Sequence, residues 1–128
     1  GPKLEGKDVI LIDDMISSGK SILEIASLLK KRGAGKIFIC TTFGLFTEGM
    51  EKFDEAYQNG IFDKLLTTNL VYQTPELLSK PYYITCDMSK YIALIIDTLN
   101  HDMSVSHLLN PADRIKRCVS NYMAQYEK

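Results

Sequence analysis

Residues 8–22, DVILIDDMISSGKSI, constrain the fold of this 128-residue chain more than any other segment. Val9, Ile10, Leu11 and Ile12 form a continuous apolar run, the pattern of a strand buried on both faces in a parallel α/β sheet. Two adjacent carboxylates, Asp13 and Asp14, end the run, and a turn of small residues, Ser17-Ser18-Gly19-Lys20-Ser21, follows. Beyond it Ile22, Ile25, Ala26 and Leu29 recur at i, i+3, i+4 and i+7, which predicts an amphipathic helix. Ligands of parallel sheets bind beyond the carboxyl ends of the strands, where residues 13–21 fall. The first N–H groups of such a helix lack intrahelical partners and carry its positive dipole end. With hydroxyls from Ser17, Ser18 and Ser21 and close backbone approach at Gly19, they would form a phosphate cradle. Asp13 and Asp14 would suit a polyol or a magnesium-bound hydroxyl.

A nucleotide loop and a plain capped turn each fit part of this segment as well. Gly19-Lys20-Ser21 matches the end of a nucleoside-triphosphate P-loop, but Asp14 stands where that loop needs its first glycine. An ordinary strand–turn–helix with serine capping would also give a hydroxyl-rich turn. The paired aspartates count against it, because adjacent carboxylates at the end of an apolar strand call for a ligand, a metal or a cationic neighbour.

The remaining chain alternates elements as a parallel α/β sheet does. A second strand is expected at residues 36–41, introduced by Gly33-Ala34-Gly35, and a third at residues 64–68. Between them residues 49–59 predict a helix with Met50, Phe53 and Tyr57 on one side, ended by Gly60. Thr74-Pro75-Glu76 opens a short helix, since threonine caps well and proline suits the first helical position. Residues 82–86 read as a fourth strand. Asp87 is expected to cap a helix running to Leu99, with Met88, Ile92, Ile95, Ile96 and Leu99 on one face. Asn110-Pro111 begins a last helix striped by Ile115, Cys118, Val119, Tyr122 and Tyr126, with Arg114, Lys116 and Arg117 turned to solvent.

Charge and cysteine usage narrow the classes. Fifteen basic residues against sixteen acidic ones give no electrostatic case for nucleic acid or an anionic membrane. No apolar run approaches the roughly 20 residues of a membrane helix. Cys40, Cys86 and Cys118 are odd in number and widely spaced, so they read as buried thiols in a reducing, cytoplasmic setting. His101 and His107 have no second ligand at metal spacing and are assigned structural or surface roles. Thr41, Thr42, Thr67, Thr68 and Asn69 end strands on the ligand side, where they serve either a site or a cap.

The residues now quoted resemble ribose-phosphate diphosphokinase, the phosphoribosyl-pyrophosphate synthetase family. The apolar strand with Asp13-Asp14 and the turn at residues 17–21 is similar to the phosphoribosyl-pyrophosphate motif of type I phosphoribosyltransferase folds. Thr41-Thr42-Phe43-Gly44-Leu45-Phe46, then Glu48-Gly49, resembles the family's strand-end threonine and glycine segment. Leu65-Leu66-Thr67-Thr68-Asn69 resembles its strand closing in Thr-Asn, and Ser104-Val105-Ser106-His107-Leu108-Leu109 its Ser-Val-Ser-x-Leu-Phe ending. Two positions depart: Ser17 replaces an acidic residue and Lys20 a second glycine.

The resemblance implies a parallel-sheet, three-layer phosphoribosyltransferase-like α/β fold, here the truncated C-terminal half, with residues 1–128 as one domain. Residues 111–128 would be an extra helix, and Gly1-Pro2 reads as a cleavage remnant. The implied reaction moves pyrophosphate from ATP to ribose 5-phosphate with Mg2+, in a homo-oligomer. Asp13 and Asp14 would hold ribose hydroxyls directly or through the metal, both reaching the ligand only if the chain turns at Asp14, and Ser17, Ser18, Gly19, Lys20 and Ser21 the 5-phosphate. Donor-site and catalytic residues are expected upstream of Gly1. A phosphoribosyltransferase, or a non-catalytic regulatory relative, would share the same loop.

Overall fold

The computed structural model describes residues 4–126, without the side chains of His107 and Leu109. The expectations for Gly1-Pro2 and for the His107 side chain therefore lie outside the described residues. The chain forms two compact units that divide between Met88 and Ser89.

The first unit runs β1 (Val9–Ile16), α1 (Lys20–Lys31), β2 (Ile37–Gly44), α2 (Glu51–Gln58), β3 (Lys64–Thr68), α3 (Pro75–Ser79) and β4 (Tyr83–Cys86). Its four strands pair in parallel in the order β1-β2-β3-β4, so the expected α/β parallel sheet is present. Each strand steps to its next neighbour, and right-handed crossovers then place successive helices on the same face. The core follows from this. Ile37, Ile39 and Leu65 bury one sheet face against Ile22, Ala26, Phe53 and Leu77 from the helices. The opposite face is open within the unit: Ile10 is 62 % and Ile12 81 % exposed. The reading of Val9 to Ile12 as buried on both faces is thus corrected; only Val9 and Leu11 pack against the core.

Local signals behave largely as their chemistry dictates. Gly33 takes a positive φ of 86°. Its N–H reaches the Lys30 carbonyl at 2.9 Å, and Ala34 N–H the Leu29 carbonyl at 3.1 Å, which closes α1 in a Schellman motif. Gly60 ends α2 in the same way through Tyr57 and Ala56. Thr74 caps α3 by accepting from Leu77 N–H at 3.2 Å, with Pro75 at the first helical position. The buried stripe of α1 is Ile22, Leu23 and Ala26, with Leu29 packed at its edge, whereas Ile25 faces out. Beneath α2, Phe46, Phe53, Phe62 and Tyr82 meet edge to face at centroid distances of 5.2–6.4 Å.

The cysteine expectation is also corrected. Cys40 is half-buried, Cys86 and Cys118 are exposed, and all three are free thiols. Alternation places Cys40 and Cys86 on the open sheet face, beside Leu66 and Ile84. Burial, and secondarily Cys86, pushes the Cys40 thiol above its ordinary value.

The second unit contains α4 (Ser89–Asn100), α5 (Ser106–Leu109) and α6 (Ala112–Tyr126). The Tyr91 hydroxyl donates to the Leu108 carbonyl at 2.8 Å and ties α5 to α4. His101 places Nδ1 2.9 Å from the Asp97 carbonyl one helical turn earlier. Among the described residues no helix is long and apolar enough to cross a membrane.

Candidate functional site

β1 does not stop at the aspartates. It continues through Asp13 and Asp14 to Ile16, which is buried and anchors the start of the turn. Asp13, in register with Thr41 of β2, lines a hollow of about 170 Å³ together with Met15, Ile16 and residues 17–22. Asp14 does not line it. The structure therefore brings Asp13, Ser17, Ser18, Gly19, Lys20 and Ser21 together and leaves Asp14 outside.

The turn is built to present backbone. Gly19 precedes α1 with φ 82° and ψ −5°, a left-handed conformation that favours glycine. Its carbonyl accepts from Leu23 N–H at 3.1 Å, the first bond of the helix, and no side chain caps the helix start. The first-turn N–H groups are then available to an anion. The Ser18 hydroxyl lies 3.4 Å from Lys20 N–H, too long to satisfy that donor well. Asp13 is oriented from within its own strand, since its Oδ1 accepts from Asp14 N–H at 2.8 Å.

Three supports of the turn carried no sequence signal of their own. Leu45 N–H donates to the Ile16 carbonyl at 2.8 Å, and Thr47 N–H to the Ser17 carbonyl at 3.0 Å. These bonds tie the loop after β2 to the turn after β1. The third support is Phe53, fully buried, whose ring lies under Gly19. A Cβ at Gly19 would sit 2.3 Å from that ring, inside any tolerable contact. Gly19 is thus required by packing as well as by φ, and only the helix–loop contact reveals it.

The other strand-end residues separate into roles. Thr67 Oγ1 lies 2.6 Å from the Tyr83 hydroxyl, and Thr68 Oγ1 donates to the Thr42 carbonyl at 2.6 Å. Asn69 donates to Asp87 and accepts from Met88 N–H, both at 2.8 Å. Thr41 is buried beside Asp13's strand, and its hydroxyl has no hydrogen-bond partner. Phe46 packs against the core at a positive φ of 48°, while Leu45 and Phe43 remain exposed. A larger groove, about 720 Å³, follows the outer side of α1 and α2 and shares Lys20 with the hollow. Its mixture of Glu24, Glu55, Lys31 and Lys52 lies along the helices, away from the strand ends where parallel sheets bind ligands.

Electrostatics next to the turn favour anions only locally. Glu48 is held below the ordinary carboxylate value by its bond to Lys52, with a smaller pull from Lys20. Among the described residues no three His, Cys, Asp or Glu side chains gather as a metal cage. One oriented carboxylate beside an uncapped helix start does fit Mg2+, which keeps several waters and is commonly held by one or two carboxylates plus substrate oxygens.

A family model described as phosphoribosyl synthetase-associated domain matches residues 2–110. The chain belongs to this family. Among the relatives of this phosphoribosyl synthetase-associated domain is the ribose-phosphate pyrophosphokinase of Shewanella oneidensis, 29 % identical over 107 residues. That match covers 84 % of this chain and 33 % of the relative. The chloroplastic ribose-phosphate pyrophosphokinase 2 of Oryza sativa subsp. japonica is 31 % identical over 105 residues, covering 82 % of this chain and 25 % of the relative. In fold the chain is similar to a phosphoribosylpyrophosphate synthetase from Mycobacterium smegmatis, with a TM-score of 0.69 at 22 % identity. That likeness covers 80 % of this chain and 33 % of the solved one. The chain therefore spans a third or less of the length of these relatives, and α6 follows the last residue matched by the family.

Proposed function

We propose that this chain is the part of a ribose-phosphate pyrophosphokinase that holds ribose 5-phosphate. One observation carries the reading: an oriented Asp13 and an uncapped, glycine-led helix start share one hollow at the carboxyl end of a parallel sheet. Residues 17–21 would take the 5-phosphate through first-turn N–H groups and the hydroxyls of Ser17, Ser18 and Ser21. Lys20 would add a cation at the rim. The Asp13 carboxylate would accept from a ribose hydroxyl and keep the sugar's 1-hydroxyl facing the nucleotide. Asp14, which does not line the hollow, is given no contact with the sugar.

In the reaction implied, the ribose 1-hydroxyl attacks the β-phosphorus of ATP, AMP leaves, and pyrophosphate remains on the sugar. Phosphoryl chemistry of this kind depends mainly on positioning and charge stabilisation, so immobilising the acceptor is half of the task. Asp13 and ribose hydroxyls would hold Mg2+, which would supply neutralisation of phosphate charge. Donor binding and catalytic groups are assigned to other parts of the longer enzyme. Residues 1–128 would then act as its C-terminal domain, in a cytoplasmic homo-oligomer, and the three free thiols fit a reducing compartment.

Amide titration of the chain with ribose 5-phosphate tests this. Shifts should concentrate at residues 17–22. Asp13→Asn should weaken ribose 5-phosphate while leaving inorganic phosphate unchanged, and Asp14→Asn should change neither. Shifts spread over the α1–α2 groove, or equal losses from the two aspartate variants, would overturn the assignment. AMP release from ATP and ribose 5-phosphate by the longer protein, and none by this chain alone, separates the synthetase from a transferase or a regulatory relative.

A further inference from the structure

Helix α6 has no use in the site, and none of its residues is buried. Ile115, Val119, Tyr122 and Tyr126, each more than half exposed, follow one another at spacings of four, three and four. That is a two-heptad coiled-coil seam, narrower than the stripe of a helix lying on a globular core. The rings of Tyr122 and Tyr126 pack 4.7 Å apart and make its end a continuous aromatic surface. α6 is held from another side, where the Arg114 guanidinium lies 5.3 Å over the Tyr91 ring of α4. On a helical projection Arg114 falls well away from the seam, which stays open.

We propose that α6 pairs antiparallel with α6 of a second copy of this chain. The layers of the seam fit a second copy, and charge selects the direction. Asp113, Arg114, Lys116 and Arg117 crowd the first half of the helix, and residues 118–126 carry no charge. Parallel pairing would set two groups of three cations side by side. Antiparallel pairing puts each group against the partner's uncharged half and opposes the helix dipoles. The layers agree: Ile115 meets the partner's Tyr126, and Val119 the partner's Tyr122, so every layer holds one aliphatic and one aromatic side chain. Parallel pairing would stack tyrosine on tyrosine and valine on valine, alternately overfilling and underfilling the seam. On the antiparallel flanks Lys116 lies beside the partner's Met123, and Cys118 beside the partner's Gln125. Fifteen residues make a small interface, so the association is weak and reversible.

Sedimentation of the 128-residue chain should show a concentration-dependent monomer–dimer equilibrium. Val119→Asp with Tyr122→Asp should weaken it about a hundredfold, with thermal unfolding of the sheet unit unchanged. Ile12→Lys, on the open sheet face, should leave it unaltered. Under mild oxidation Gln125→Cys should cross-link to the partner's Cys118, and Met123→Cys should not. A monomer at all concentrations overturns the proposal, as does a dimer that survives the α6 variant or is lost with Ile12→Lys. Cross-linking through Met123→Cys instead of Gln125→Cys would show parallel pairing and overturn the antiparallel arrangement.

Discussion

Gly19 shows how much one missing side chain can decide. Its positive φ and its contact with the buried Phe53 ring are independent demands on the same atom. Alanine there pays a left-handed backbone cost and also drives a methyl group into the ring. We expect Gly19→Ala to cost about 2–4 kcal/mol of unfolding free energy and to lower anion affinity at the turn. Adding Phe53→Leu should recover part of both losses, giving less than the sum of the single effects. Strict additivity in a denaturant double-mutant cycle would show that the ring does not set the turn. The presence of Gly19 in a hydroxyl-rich turn was legible in the sequence. Its second reason was not, because Phe53 comes from α2, more than thirty residues along the chain.

At the scale of elements, caps and charged anchors hold the helices to the sheet. Thr74→Ala removes the acceptor for Leu77 N–H and should cost about 1 kcal/mol, read as a lower urea midpoint at unchanged slope. A larger anchor ties α2 to the approach to β4. Lys80 Nζ and the Tyr82 hydroxyl donate to the two oxygens of Asp54, each at 2.7 Å. Burial alone would raise the Asp54 carboxyl, but these bonds and the Lys80 charge outweigh it and hold it below the ordinary value. A depressed carboxyl contributes stability above its unfolded pKa of about 3.9 and loses it as pH falls through the lower folded value. Lys80, raised chiefly by its bond to Asp54, contributes below its unfolded pKa of about 10.4 and loses that as pH rises through the folded value. Neutral pH therefore keeps both contributions. Acidification into the carboxylate range should lower the urea midpoint of the wild type more than that of Asp54→Asn; equal slopes would discount the anchor. Thr74-Pro75 announced its cap in the sequence, whereas Asp54, Lys80 and Tyr82 carried no mutual signal until the chain brought them together.

For the whole molecule, the sheet is one-sided within its unit. Ile39→Ala, on the helix-covered face, should cost about 2–5 kcal/mol. Ile12→Lys, on the open face, should stay within about 0.5 kcal/mol of wild type and improve solubility. Thermal unfolding of the two variants checks the pair. A large loss from Ile12→Lys would mean that the face is covered in solution. The apolar run of Val9, Ile10, Leu11 and Ile12 suggested burial on both sides, since hydrophobic sequence records what a residue can bury and not what lies against it.

The sequence by itself determined the alternation of strands and helices, the Lys64–Thr68 strand, the glycine and threonine helix ends, and the family to which the chain belongs. Those are local matters of periodicity, backbone conformation and short motifs. Only the tertiary structure decided that β1 runs on past Asp14 and stays paired with β2 to Ile16, with no turn at the aspartates. It also placed Phe53 and Thr47 beneath the turn and brought Cys40 and Cys86 onto an open face. Each of these depends on strand register and crossover direction, which act between segments far apart in the chain.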